Sequence, residues 1–264
     1  MTRALALITG ASSGIGLAYA RTLAAEHDFV LVARREDRLV ALAEELATVG
    51  AATELLPVDL STRSGVAAVV ERLSAGDVRL LISNAGAAGE GRVAETDQAA
   101  IDPFMTLNAL ATIELARAAL PGMLAADDGT IITVSSLLAF SAGVSEEHIP
   151  ARTLYATAKA AIVAFTRGLA IEVADTGVRA QLVVPGSTAT EFGGGRRTPR
   201  PTAMSADGVV QASLTGLRLG ESICIPGLED QAAALDALAS AEATLMFGGN
   251  KPTPAVRYLV TAES

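Results

Sequence analysis

The sequence predicts an α/β fold, a doubly wound parallel sheet of about seven strands with helices on both faces. Two observations predict the class and a third the domain count. Short β-branched or Leu-rich runs alternate with longer segments whose apolar residues recur at helical spacing. Most short runs are apolar on both faces, as strands covered by helices on both sides must be. No internal repeat, heptad seam or low-complexity linker interrupts the alternation, so residues 1–264 read as one domain.

The first strand is expected at residues 4–9, and it runs directly into Thr9-Gly10-Ala-Ser-Ser-Gly14-Ile-Gly16. A glycine turn between a strand and a helix presents unpaired backbone N–H groups, and the helix dipole adds positive potential, so the turn suits a phosphate. The second strand, 29–33, ends in Ala33-Arg34-Arg35. In a dinucleotide fold this strand end lies beside the adenosine ribose, where an arginine favours a 2′-phosphate and an acid a free hydroxyl. Arg34 therefore argues for NADP(H), while Glu36 and Asp37 read as first-turn acids of a helix over 36–49.

The third strand, 53–57, leads into Val58-Asp59-Leu60, and the fourth, 79–83, into Asn84-Ala85-Gly86. Asp59 after its strand serves equally as a ligand contact or as a cap for a helix starting near Ser61. The fifth strand, 130–135, brings Ser135 and Ser136 to its end. A helix over 155–175 places Tyr155 and Lys159 four residues apart and so on one face, where an ammonium lowers a nearby phenol's pKa toward the range of a general acid or base. The last strands are expected at 179–184 and 222–225. Between them, residues 186–204 form the least regular stretch, with glycines at 193–195, Arg196, Arg197, Arg200, Pro199 and Pro201. That composition suggests a lid, and a substrate loop is drawn over about 187–220.

Composition narrows the partners. With 20 Lys+Arg against 29 Asp+Glu the formal charge is −9, which argues against a nucleic-acid binder. Half the residues are hydrophobic but aromatics are 3% and Trp is absent, so Ala, Val, Leu and Ile build the core. Cys224 is the sole cysteine, which excludes an internal disulfide, and His27 and His148 leave little for a metal. The apolar stretch 4–8 is too short for a signal-peptide core, and no apolar run reaches the roughly 18 residues of a span. The expectation is a mildly acidic cytoplasmic protein with no membrane or nucleic-acid partner.

Taken in order, TGASSGIG, Val58-Asp59-Leu60, Ser83-Asn84-Ala85-Gly86, Asn108, Ser136, Tyr155-x-x-x-Lys159 and Pro185-Gly-x-x-x-Thr190 make the chain resemble the short-chain dehydrogenase/reductase family over about residues 4–192. The resemblance implies a Rossmann-type domain. It also implies a carbonyl reductase, reversible as an alcohol dehydrogenase, in which Tyr155 donates a proton to the carbonyl oxygen and Ser136 holds that oxygen. Lys159 would bond the nicotinamide ribose, and Asn108 would hold a water that completes a proton relay. On the cofactor side it implies contacts from Gly10, Ser12, Ser13, Gly14, Ile15 and Gly16 to the diphosphate, and from Asp59 and Leu60 to the adenine. Arg34 and Arg35 would meet the 2′-phosphate, Asn84, Ala85 and Gly86 the central backbone, and Pro185, Gly186, Thr188 and Thr190 the carboxamide. It implies a homodimer or homotetramer.

The sequence departs from the family in three places. The segment 141–154 reads as an insertion bordering the substrate pocket, with Glu146, Glu147 and His148 in it, and it leaves Ser135 as a second candidate for the catalytic serine. Ser13 stands where NADP-using relatives often carry a basic residue. Residues 204–230 lack a ketoacyl-reductase ending and resemble a bacterial reductase subgroup. Leu137, Leu138, Phe140 and Phe192 predict an apolar pocket for a ketone or aldehyde. A 3-oxoacyl or hydroxysteroid-type reductase, or a catalytically silent NADP-binding regulator, are the alternatives. A serine hydrolase using Ser136 and His148 fails because VSSLL is no nucleophile elbow.

Overall fold

The computed structural model describes residues 3–89, 91–144, 151–192 and 203–259. Glu146, Glu147 and His148, and the glycines and arginines of 193–200, lie outside the described residues.

In chain order the first unit, Met1–Pro226, runs β1 (Ala4–Thr9), α1 (Gly14–Leu23), β2 (His27–Val32), α2 (Glu36–Ala47), β3 (Thr53–Leu56), α3 (Arg63–Leu73) and β4 (Val78–Ser83). It continues with α4 (Gln98–Met105), α5 (Ala111–Ala126), β5 (Gly129–Val134), α6 (Thr153–Glu172), β6 (Val178–Val183), β7 (Thr188–Ala189), β8 (Met204–Ser205), α7 (Ala206–Arg218) and β9 (Ile223–Cys224). Seven strands form one parallel sheet in the order β3-β2-β1-β4-β5-β6-β9. Each strand drawn from sequence is present, with ends moved by a residue or two, as hydrogen-bond assignments at element ends do.

The order reverses between β1 and β4, and in open α/β sheets ligands bind outside the carboxyl ends of strands at such a point. Apolar strand residues serve two cores. Tyr19, Phe29, Leu39 and Val209 pack with α1, α2 and α7 on one face, while Val66, Leu115, Met123 and Leu169 pack with α3, α5 and α6 on the other. Truncating one of these buried residues costs about 2–5 kcal/mol.

Two helical stretches, Gln98–Ala126 and Thr153–Glu172, have the length and mean apolarity of a membrane span. Both carry buried faces turned to the sheet, through residues such as Leu115, Ile162 and Leu169. Glu36 and Asp37 do open α2. Of the loop drawn over 187–220, β8 and α7 are regular. Helix α7 is locked by a buried chain in which Tyr19 donates to Ser213 at 2.6 Å and Ser213 to Gln181 at 2.7 Å. This bonded, packed helix is part of the sheet's cover, not of a loop.

The sequence predicts a single domain over 1–264. The chain divides instead after β9, where the sheet ends, and Gly227–Ser264 forms a second unit around α8 (Gln231–Gly249), capped by Asp230.

Candidate active site

Thr9, at the end of β1, ties the two strands at the reversal. Its hydroxyl accepts the backbone N–H groups of Asn84 at 2.9 Å and Ala85 at 3.0 Å, and Asn84 Nδ2 donates to its carbonyl at 3.0 Å. That close approach dictates glycine next door. Gly10 has φ +69°, and a Cβ there would stand 2.8 Å from Asn84 Nδ2. A Cβ on Gly16 would strike the Gly10 carbonyl oxygen. Ser13 caps α1 without a side-chain bond, unlike Thr62 on α3 or Ser205 on α7. The first-turn amides of α1 thus keep donors for an anion, and this narrow glycine cradle fits a dinucleotide diphosphate. Ile15, beside it, is partly buried and packs against the core.

The two arginines after β2 diverge. Arg34 is exposed and meets Asp59 at 3.9 Å. Arg35 turns to the glycine turn, donating to Ser12 Oγ at 3.1 Å and Ser13 Oγ at 2.9 Å, and reaches Glu191 at 3.1 Å. Arg38, a turn further along α2, holds Glu191 at 2.7 Å. Asp59 shapes its own turn by accepting the N–H and hydroxyl of Ser61, whereas Thr62 caps α3. Leu60 is buried in the core.

At the end of β5 the two serines have different tasks. Ser135 is buried and donates to the Lys159 carbonyl at 2.8 Å, fixing α6 against the strand. Ser136 caps the following 3-10 turn, its hydroxyl accepting the Leu138 N–H at 3.2 Å. Tyr155 is 5% exposed. Burial pushes its phenol up, and the nearby Ser136 hydroxyl and the Arg152 charge pull it back less. The expected lowering of the phenol by the ammonium is therefore not what sets its protonation; desolvation is, and it keeps the proton on at neutral pH.

Lys159 is buried, its pKa brought down to about 8 by burial. Its Nζ donates to the Val134 carbonyl at 3.0 Å and lies 5.9 Å from the centre of the Tyr155 ring. Asn108 sits in a single π turn, Thr106–Leu110, where α4 passes into α5; such turns recur at functional sites. Its Oδ1 accepts the Ala87 N–H and its Nδ2 donates to the Phe104 carbonyl, both at 3.0 Å. A Cβ on Gly86 would lie 3.1 Å from that Oδ1 and 3.5 Å from Lys159 Nζ. The Asn84-Ala85-Gly86 turn, Asn108 and Lys159 therefore converge. Beyond β6, the Pro185 carbonyl accepts the Leu137 N–H, Gly186 packs near Leu137, Thr188 opens β7, and Thr190 lies against Gly14.

The family model described as short chain dehydrogenase matches residues 4–200. The chain belongs to the short-chain dehydrogenase family. An uncharacterised oxidoreductase from Staphylococcus saprophyticus is 34% identical over 194 residues, 72% of this chain and 80% of that one. Among solved structures, a short-chain dehydrogenase from Sphingobium yanoikuyae in complex with NADPH is 36% identical with a TM-score of 0.89, covering 97% of this chain and 100% of that one. The bulky-bulky ketone specific alcohol dehydrogenase from Comamonas testosteroni is 30% identical with a TM-score of 0.88, covering 98% and 100%. As a short-chain dehydrogenase this chain is an oxidoreductase that uses a nicotinamide cofactor.

Beside Tyr155 this dehydrogenase has a cavity of about 160 Å³, lined by Gly89, Gly91, Thr96, Ala100, Phe104, Arg152 and Leu154. Of the expected pocket residues, Leu137 and Phe140 are largely exposed, and Phe192 lies against Tyr155 with ring centres 6.2 Å apart. The lining before α4 and within it carries no motif. The Phe104 ring presses where a Cβ on Gly89 would sit, a contact visible only in three dimensions. Thr9 and Arg38 also belong to the site. Their signals were a hydroxyl at the end of β1 and a third arginine one helical turn after Arg34-Arg35.

Proposed function

We propose that this short-chain dehydrogenase is an NADPH-dependent reductase of apolar ketones or aldehydes, reversible as a secondary-alcohol dehydrogenase. The observation that carries the reading is the buried Tyr155 with Lys159 Nζ 5.9 Å from its ring centre, where Asn108 and the Asn84-Ala85-Gly86 turn converge. A bound nicotinamide supplies a hydride to the carbonyl carbon, or removes it from the alcohol.

Tyr155 donates the proton to the carbonyl oxygen, and its burial-raised pKa holds that proton ready. Ser136 gives the same oxygen a second, preorganised donor. Lys159 reaches the nicotinamide ribose, and Asn108 acts by holding the turn through Ala87, its side chain being engaged on both ends. Gly10, Ser12, Ser13, Gly14, Ile15 and Gly16 cradle the diphosphate, and Asp59 and Leu60 border the adenine. Asn84, Ala85 and Gly86 with Pro185, Gly186, Thr188 and Thr190 flank the nicotinamide half.

Arg35, bonded to both serines of the glycine turn, leads in recognising the 2′-phosphate, and Arg34 assists from its exposed place. The Comamonas neighbour's ketone specificity and the largely apolar lining of the cavity support the substrate class. We place the enzyme in the cytoplasm, where its buried Cys224 stays a thiol, as a dimer or tetramer formed through α4–α5 and α6.

The test is calorimetric titration with NADPH and NADH, followed by a panel of ketones and aldehydes of rising bulk, with light scattering for the oligomer. Tighter NADPH binding with turnover is the expected result. A preference for NADH overturns the arginine reading, and binding without turnover on any carbonyl overturns the reductase.

A further inference from the structure

Residues 188–192 run beside the glycine turn, and three consecutive side chains there meet three parts of the site. The methyl of Thr190 lies 3.1 Å from where a Cβ on Gly14 would be. The Glu191 carboxylate accepts from Arg38 at 2.7 Å and Arg35 at 3.1 Å. The Phe192 ring tilts against Tyr155. Glu191 is exposed, and the Arg38 and then the Arg35 guanidinium hold its carboxyl below the usual carboxylate range. Arg35 at the same time binds Ser12 and Ser13. Two guanidinium groups thus hold an anion position that the chain fills with its own carboxylate, and two hydroxyls of the glycine turn hold one of those guanidinium groups.

We propose that Glu191 competes with the cofactor's 2′-phosphate for Arg35 and Arg38, so that a 2′-phosphate, and not a 2′-hydroxyl, frees residues 190–192 from the arginines. The inference rests on the NADP(H) reading above. Charge decides the competition: the arginines carry +2, a carboxylate answers with −1, and a phosphate monoester answers with about −1.5 to −2 through three acceptor oxygens. Both anions on one pair would leave two like charges in contact. A dinucleotide without the 2′-phosphate has nothing to displace Glu191 with, so its affinity is independent of that carboxylate. Release is confined beyond Ala189, because β7 is held by its pairing with β8. Glu191 thereby reduces affinity for the phosphorylated cofactor and couples its arrival to Phe192 at the catalytic tyrosine.

The experiment measures binding of adenosine 2′,5′-bisphosphate and of 5′-AMP to the wild type and to Glu191→Gln by calorimetry, with amide hydrogen exchange of the segment read in parallel. Glu191→Gln should bind the bisphosphate roughly three- to tenfold more tightly, the modest scale of exposed ion pairs, with 5′-AMP unchanged. In the wild type the bisphosphate, but not 5′-AMP, should raise exchange at Glu191 and Phe192. Equal bisphosphate affinity in the two proteins, or exchange that the bisphosphate leaves unmoved, overturns the proposal while the NADP(H) reading stands. If the wild type and the variant alike bind 5′-AMP as well as the bisphosphate, both readings fall.

Discussion

The two ends of the cofactor groove are built on opposite principles. At the end of β5 the working groups are buried: Tyr155 is 5% exposed and Lys159 4%. Desolvation there sets protonation and leaves one geometry for each group. After β2 the Arg34 side chain is 68% exposed, and Arg35, Arg38 and Glu191 are close to half exposed. Water screens each of those pairs, and partners can be exchanged at small cost. The buried end suits chemistry and the exposed end suits choice between cofactors. Substitutions should therefore have large, salt-independent effects at the first and small, salt-dependent effects at the second.

The largest break is Tyr155→Phe. It removes the proposed proton donor without removing the ring that Phe192 contacts, so turnover should fall by roughly 100- to 10,000-fold while NADPH affinity stays near wild type. Steady-state kinetics and a binding titration separate the two; loss of both together would make Tyr155 a structural residue.

Lys159 comes next. Its folded pKa of about 8 lies below the ordinary 10.5, so the unfolded chain holds a proton that the native chain has released between those values. The burial penalty is full below pH 8 and is relieved as pH rises through that window. Lys159→Met should abolish most activity yet remove a penalty on the order of 3 kcal/mol at neutral pH, partly offset by loss of the Val134 hydrogen bond. Urea denaturation at pH 7 and pH 10 checks this: the stability of the variant relative to wild type should decline between the two.

How legible each end is in the sequence follows the same division. The buried end is written in spacing: Tyr155 and Lys159 share a helix face, Ser136 follows an apolar strand, and the glycines sit where a Cβ has no room. The strands were found to within a residue or two because continuous apolar runs have no other place to go. The exposed end is less legible. The sequence points to Arg34 with Arg35 assisting; Arg35 turns to Ser12 and Ser13 and Arg34 to Asp59, since adjacent residues before a helix point in different directions and nothing in composition says which. Nothing in the sequence marks Glu191, because its partners lie more than 150 residues away in the chain. The π turn at Asn108 likewise leaves no mark in the apolar periodicity.

The third test sharpens the exposed end against itself. Arg35→Ala should weaken NADPH binding about tenfold relative to NADH, whereas Arg34→Ala should cost less than about threefold, the range of a single exposed charge. Both effects should shrink on raising salt from 0.05 to about 0.5 M, which shortens the screening length, while the Tyr155→Phe defect should not. Equal losses in the two variants would restore Arg34 to the role the sequence assigns it.

The last test separates two adjacent residues of the buried end. Ser135 and Ser136 differ by one position on an extended backbone, so their hydroxyls face opposite ways: one donates to the Lys159 carbonyl, the other accepts the Leu138 N–H. Ser136→Ala should lower turnover by about 100-fold, as loss of a preorganised donor to a reacting oxygen does, with little change in stability. Ser135→Ala should do the reverse. It removes one buried hydrogen bond, costs about 1 kcal/mol in thermal or urea unfolding, and leaves turnover within a few-fold of wild type. If Ser135→Ala instead loses as much turnover as Ser136→Ala, the hydroxyl that positions α6 is itself required for catalysis. The clean separation between a serine that holds the helix and a serine that holds the substrate oxygen then fails.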